Sequence, residues 1–395
     1  MKDLLKKNLE WFYRSGVMIP ENGLWGVAER VAMKENNSAL ERMMDAFPAW
    51  TVHEKYCIIE QRRADCNFEA AYMYLEAFKA VGDQRYLETA INILDFLYFR
   101  SGLLWRKKTG AVPGSWNWSH IRRSSVVWFD DEAWCIFLQL KIAEEFPELD
   151  KKYDMKHWGM ILADEICLAL KRAMVPGIEV LPDQHWQDDR FTGTAEFPHW
   201  GSLACMALAR AFKEEPKAKY AEAIKAYHDY LDLKAESFDA SEVCYAIIGA
   251  CAAYRYTGDG FYLAICRKFG KLLADRIGDN GNIPSEHDEA PCGPMLVDTI
   301  YTDNWAILGL QSLQAIDSSF ADHYRNVLNL VCSIQDNSPE PWLNGCWRGM
   351  FDMESGTWGG GDCYEGGAGS IYTGWTNAPI STVIALELQN RDLFN

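Results

Sequence analysis

The chain has 395 residues, is 49% hydrophobic and carries a net charge of −17. That charge excludes nucleic acid and an anionic membrane surface as partners, since both need a basic footprint, while a small anionic ligand held by a local arginine cluster stays open. No run of about 18 apolar residues occurs, so no segment reads as a membrane span; the 16 tryptophans are the unusual feature, several lying in loops with Gly, Asn and Arg.

In chain order, residues 2–13 read as an amphipathic helix rather than a signal peptide, with no helical partner before it. The first complete hairpin is expected over 65–100, turning at Gly82 and Asp83. There Gly ends one helix in a left-handed conformation and Asp caps the next. The loop GSWNWSHIRR follows with Trp116, Trp118, His120, Arg122 and Arg123. WFDDEAW then opens a second hairpin over 130–173, turning near Pro147. DQHWQDDRFTG carries His185, Trp186, Asp189 and Arg190. AEFPHWG, with Glu196 and His199, opens the third hairpin over 198–233, which turns near Pro216. The fourth covers 241–277 and turns at Gly258 and Asp259, echoing the first. The fifth covers 303–334 and begins at YTDNW. A Gly-rich loop over 335–375 holds Trp347, Arg348, Trp358, Asp362, Glu365 and Trp375, and a last helical segment spans 376–389.

Five hairpins and two unpaired terminal helices make six pairs if the ends meet. The expected fold is therefore all-α, a closed (α/α)6 toroid formed by one domain over 1–395. The first helix of each hairpin is the less charged, as in AIIGACAAYRY, and belongs in the inner ring; the more charged second helices belong outside. The long connections, 101–129, 175–197, 278–302 and 335–375, lead back to inner helices. Long loops without repetitive structure are usually functional, so the site is expected at the mouth, where inner helices begin.

Each inner helix starts near an acid or polar residue, and helix capping competes with catalysis at every one. Asp239 with Glu242 reads most like capping. Asp130 and Asp131, followed by Glu132, put three carboxylates into one turn, more than a cap needs. They are the first catalytic candidates. Adjacent side chains diverge on a helix, so a carboxylate from another inner helix completes the pair; Asp303 is preferred for its TDNW context, followed by Glu196, Asp65 and Glu365. Indoles stack on sugar rings, while amides, acids and guanidiniums bond hydroxyls and carboxylates. Trp116, Trp118, His120, Arg122, His185, Trp186, His199, Trp347, Arg348, Trp358, Glu365 and Trp375 are the candidate substrate-binding residues, with ordinary packing as the competing role for any one Trp. Arg62, Arg63, Arg122 and Arg123 either neutralise inner-helix acids or grip a uronate.

His120, His185, His199 and His287 are too scattered for a metal motif, and no phosphate or dinucleotide loop occurs, so no metal or cofactor is expected. The twelve cysteines lack a C-x-x-C pair and read as buried free thiols, which points to a reducing, cytoplasmic compartment.

With its hairpin pattern and its acids at inner-helix starts, the chain resembles the six-hairpin glycosidase superfamily, and within it the unsaturated glucuronyl and rhamnogalacturonyl hydrolases and uronidase-like bacterial families. The resemblance implies polysaccharide degradation: a glycoside hydrolase acting on oligosaccharides, uronic-acid-containing ones first, with Asp130 or Asp131 and Asp303 in acid/base roles. DTIYTDNW only loosely echoes the acidic stretch of the unsaturated glucuronyl hydrolases. A sugar epimerase with His-based proton transfer or a polysaccharide lyase on the same fold, the lyase with Tyr301, Tyr364 and Tyr372 as candidate bases, and a non-catalytic carbohydrate-binding toroid are the alternatives.

Overall fold

Two chemistries of helix alternate along the chain. Every residue from Ala240 to Ala253 of the helix Ala240–Thr257 is buried, and so is every residue from Ala64 to Ala77 of Ala64–Val81. By contrast Gln84–Asp95 buries only Tyr86, Thr89, Ala90, Ile93 and Leu94, a single stripe of helical period. A helix buried all round needs neighbours on every side, and a ring of such helices jacketed by striped ones supplies them. The computed structural model describes residues 1–19, 22–35, 37, 39–47, 49–107, 112–121, 127–175, 179–180, 191–286, 293–359 and 366–395.

Twelve of the described helices build that ring: α1 (Lys2–Arg14), α2 (Ala64–Val81), α3 (Gln84–Asp95), α4 (Phe129–Glu145), α5 (Met155–Ala173), α6 (Pro198–Glu214), α7 (Ala218–Lys234), α8 (Ala240–Thr257), α9 (Gly260–Ala274), α10 (Asp303–Ile316), α11 (Ala321–Ser333) and α12 (Ala378–Glu387). The even-numbered helices pack in sequence, α2 on α4, α6, α8, α10 and α12 in turn, and α12 returns to α2. Each odd-numbered helix covers its partner from outside, and α1 covers α12. The fold is therefore the all-α (α/α)6 toroid, closed by pairing the N-terminal helix with the C-terminal one. The repeated turn works as its residues dictate: Gly82 and Gly258 end α2 and α8 at φ +81° and +73°, and Asp83 and Asp259 cap α3 and α9 by accepting from the N–H groups of Arg85 and Phe261.

Segments outside the expected hairpins hold two antiparallel four-stranded sheets. In the first, β1 (Arg30–Met33) lies between β10 (Ser370–Tyr372) and β3 (Tyr56–Ile59), with β2 (Trp50–Val52) outside β3; Arg30 faces Tyr372 on one side and Ile59 on the other. In the second, β6 (Pro284–Ser285), β7 (Gly293–Asp298), β8 (Met350–Asp352) and β9 (Thr357–Trp358) follow in order. A short parallel pair, β4 (Val127–Trp128) with β5 (Phe191–Thr192), precedes α4 and α6. The connections over 278–302 and 335–375 are thus partly sheet. Strands of two to six residues are too short to show a period of two in sequence.

At the opposite end from the inner-helix N-termini, the chain after α12 crosses the ring. Arg391 bonds Glu76 of α2 at 2.9 Å and Glu145 of α4 at 2.5 Å, Asp392 bonds Arg255 of α8 at 2.6 Å, and Leu393 and Phe394 are buried. The described cysteines are free thiols, nine of them buried. No helix among the described residues is long and apolar enough to cross a membrane.

Candidate active site at the mouth of the ring

Because the inner helices all start at one end, the residues of their first turns converge. They enclose a cavity of about 550 Å³ to which all six contribute, directly or through the segment leading in. Arg63 comes from just before α2; Trp128, Asp130, Asp131 and Trp134 from α4 and its lead; His199, Trp200 and Leu203 from α6. Ser241, Glu242 and Tyr245 come from α8, Tyr301 and Trp305 from α10 and its lead, Tyr372 and Trp375 from before α12. The first sheet and its flanks add Glu29, Arg30 and Phe47, and Trp118 closes the wall. Trp134 and Trp305 stack at 5.7 Å and 25°, with Tyr245 5.3 Å from Trp305. A cavity rich in indole with a few convergent polar groups suits sugar rings.

The twin aspartates follow from helix geometry. No side chain caps α4, so neither Asp130 nor Asp131 is used up as a cap. Glu132 instead accepts the Trp116 N–H at 2.9 Å, fastening the preceding loop. Asp131 is buried and its Oδ1 accepts from Arg63 Nη2 at 2.6 Å. The same guanidinium forks onto Asp65 at 3.2 and 2.8 Å and reaches Glu29 at 3.4 Å. Arg30 bonds Glu29 from the other side at 3.1 Å, and Trp375 Nε1 donates to Asp65 at 3.1 Å. One guanidinium thus serves three carboxylates. Burial, with Asp65 and Asp130 close by, keeps the Asp131 pKa well above the usual carboxylate range in spite of Arg63. Burial raises Asp130 as well, against the pull of His199 and Arg63. Asp131 Oδ2 and Asp130 Oδ1 are buried atoms with no hydrogen-bond partner among the described residues.

Facing this group, His199 Nδ1 lies 2.5 Å from Glu242 Oε1, and Glu242 Oε2 accepts the His199 backbone N–H at 2.8 Å. Burial resists a charged ring, but Glu242 and then Asp130 outweigh it and hold the imidazole pKa above its ordinary value.

Of the expected site residues, Asp130, Asp131, Trp118, His199 and Trp375 line this cavity. Others do not. Asp303 is wholly buried, and burial beside Asp298 raises its pKa well above the usual range. Its helix explains this: Trp305 faces the cavity, and a residue two positions earlier points about 200° away. Glu196 lies off the cavity, its carbonyl accepting from the Tyr230 hydroxyl at 3.0 Å. Trp116 is core, edge-on to Phe68 and Tyr98, and Trp347 is core with Nε1 donating to the Val331 carbonyl at 2.7 Å. His120 sits in a separate surface hollow with Ile19, Trp25, Arg62 and Phe96; burial and Arg62 lower its pKa to about 4. Arg348 and Trp358 line another cleft. Arg122, His185, Trp186 and Glu365 lie outside the described residues.

Glu242 was read as capping, but it is Asp239 that caps α8, accepting the Glu242 N–H at 2.8 Å, while the Glu242 side chain turns to His199. Trp134 and Tyr245 were also missed. Their signal was available: Trp134 is four residues after Asp130 and Tyr245 three after Glu242, one turn along the same face. Glu29, Arg30 and Phe47 come from a segment with no helical pattern and carried no signal. Among the described residues, no three His, Cys, Asp or Glu side chains gather as a metal site.

The sequence matches no protein-family model and no curated protein. Solved structures do share the architecture. A D-mannose isomerase superposes with a TM-score of 0.63 at 11% identity, over 98% of this chain and 96% of that one. Cellobiose 2-epimerase from Bacillus thermoamylovorans gives 0.60 at 11%, over 97% and 98%. An inactive variant of a Salegentibacter alpha-1,6-mannanase, with two consecutive aspartates changed to asparagine and alpha-1,6-mannotriose bound, gives 0.56 at 12%, over 98% of both chains. At such identities what this chain has in common with them is the fold, the (α/α)6 toroid.

Proposed function

We propose that this protein is a glycoside hydrolase that cleaves an oligosaccharide at the mouth cavity, with Asp131 as general acid and Asp130 as base. The observation that carries the reading is the pair itself. Two consecutive carboxylates, neither capping its helix, line an indole-walled cavity, and each keeps a buried oxygen without a partner among the described residues. Burial raises the pKa of both carboxyls, so the pair keeps a proton, and the member assigned to deliver it is Asp131, oriented by Arg63. It passes that proton to the glycosidic oxygen as the bond to the anomeric carbon breaks. Asp130 takes a proton from the water whose oxygen adds to that carbon. The mannanase made inactive by changing two consecutive aspartates supports the same use of such a pair.

The sugar seated on this cavity is proposed to be neutral. Arg30 and Arg63, the guanidiniums described there, are both engaged with carboxylates. The uronate substrate expected from the sequence would draw on Arg122, outside the described residues.

A second reading, a sugar epimerase or isomerase, is favoured by the His199–Glu242 pair, a base placed opposite the acids. One experiment separates the two. The protein is incubated with neutral and 4,5-unsaturated uronate oligosaccharides in deuterated water, and the products are followed by chromatography and NMR. Shortened sugars with new reducing ends support hydrolysis. Unchanged chain length with deuterium at C2 of the reducing sugar would replace it with epimerisation, and a ketose product with deuterium at C1 would replace it with isomerisation.

A further inference from the structure

A second cleft, of about 460 Å³, opens between the end of α11 and the β8–β9 hairpin. It shares no lining residue with the mouth cavity. Its wall is an aromatic ring in a fixed pose: Phe351 meets Trp358 edge-on at 5.3 Å and 80°, and the Arg348 guanidinium lies 6.0 Å from the indole centroid. Arg348 is itself held, with Nε and Nη2 at 2.7 and 2.6 Å from Asp336 Oδ2, and Asp336 is buried. The pair carries no net charge. Next to it Gln335 is buried with its Nε2 spent on the carbonyls of Leu4 and Gly345, and its Oε1 has no partner among the described residues.

We propose that this cleft is a second carbohydrate-binding site, which takes a neutral segment of a polysaccharide on Trp358. A preset indole loses little entropy when a sugar face stacks on it. The exposed lining residues Ser333, Asn337 and Thr357 carry donors and acceptors that sugar hydroxyls match, while the Asp336–Arg348 pair, with the Asp336 oxygens taken by Arg348 and the Ser338 N–H, holds the wall in place. A charge-neutral lining gives no advantage to a carboxylate or a phosphate. The proposal takes its ligand class from the carbohydrate reading of the mouth cavity but needs no turnover there.

The test is native-gel retardation of the full chain in α-mannan, xylan, β-1,3-glucan and polygalacturonate. At least one neutral polysaccharide should retard the wild type. Trp358→Ala should weaken that retardation at least tenfold, Trp358→Phe should weaken it less, and the melting temperatures of both should match the wild type. The double variant Asp130→Asn, Asp131→Asn should still be retarded, so the result stands whether or not the mouth cavity hydrolyses anything. Absence of retardation in every gel, equal retardation of wild type and Trp358→Ala, or retardation by polygalacturonate alone would overturn the proposal.

Discussion

Arg63 Nη2 lies 2.6 Å from Asp131 Oδ1 and joins the start of α2 to the first turn of α4. The contact does two jobs. It locks two neighbouring inner helices at the mouth, and it fixes one oxygen of Asp131 while the other has no partner among the described residues. The carboxyl is oriented while burial favours its protonated form, the state the proposed general acid needs.

Replacing Asp131 or Asp130 with Asn should lower turnover by about 10²–10⁴-fold, the usual range for a lost acid or base. Both carboxyls resist ionisation in their buried setting, so a neutral amide of the same size should leave the melting temperature unchanged or raise it. Steady-state rates and thermal melts check this; full turnover by Asp131→Asn would remove it from the mechanism.

Arg63→Met should destabilise the fold by about 3–5 kcal/mol, because removing one partner strands the buried acids it serves. Those acids can then be neutralised only by protons. The deficit should be largest at pH 8 and shrink towards pH 5. Urea midpoints at the two pH values read it directly, and a larger deficit at pH 5 would contradict the assignment.

His199 binds its proton more tightly folded than unfolded, since its folded pKa is raised. The stability it contributes is therefore complete below its unfolded value of about 6.5 and is lost as pH rises through the folded value. In Glu242→Gln the burial penalty is left with less opposition, so the ring should titrate at lower pH than in the wild type. NMR of the imidazole protons measures this. Hydrolysis should survive His199→Ala within about tenfold, whereas proton abstraction from a sugar by this base would lose at least about 10²-fold.

Gly201 sets the approach of α6 to α7. A Cβ there would lie 2.2 Å from Tyr227 Cζ, so Gly201→Ala should cost about 1–3 kcal/mol through overpacking. Gly260, at the start of α9, has nothing within 4 Å of a Cβ and serves as the control: its Ala variant should be neutral or gain up to about 1 kcal/mol. Equal melting temperatures for the two variants would refute the packing argument.

The ring was legible because its signals are local. Apolar inner helices, striped outer ones, the Gly-Asp turns and the unpaired ends all follow from nearest-neighbour patterning, and six pairs close in one way. The twin aspartates were legible too, as more carboxylates than one helix start needs. Asp303 and Glu242 were misjudged for one reason: both stand at inner-helix starts, and a start alone does not say which way a side chain points. Trp305 and Tyr245, through their spacing, held that information.

By itself, then, the sequence determined the closed helical ring and placed two aspartates where an inner helix begins, with their acid/base partner expected on another inner helix. Tertiary structure alone decided which side chains meet there. Arg63 with Asp131, His199 with Glu242, and the strand carrying Arg30 against Tyr372 join residues 43 to 342 positions apart in the chain. Such contacts depend on the rotation of each helix about its axis and on short strands with no periodicity of their own, and both are fixed only when the ring closes.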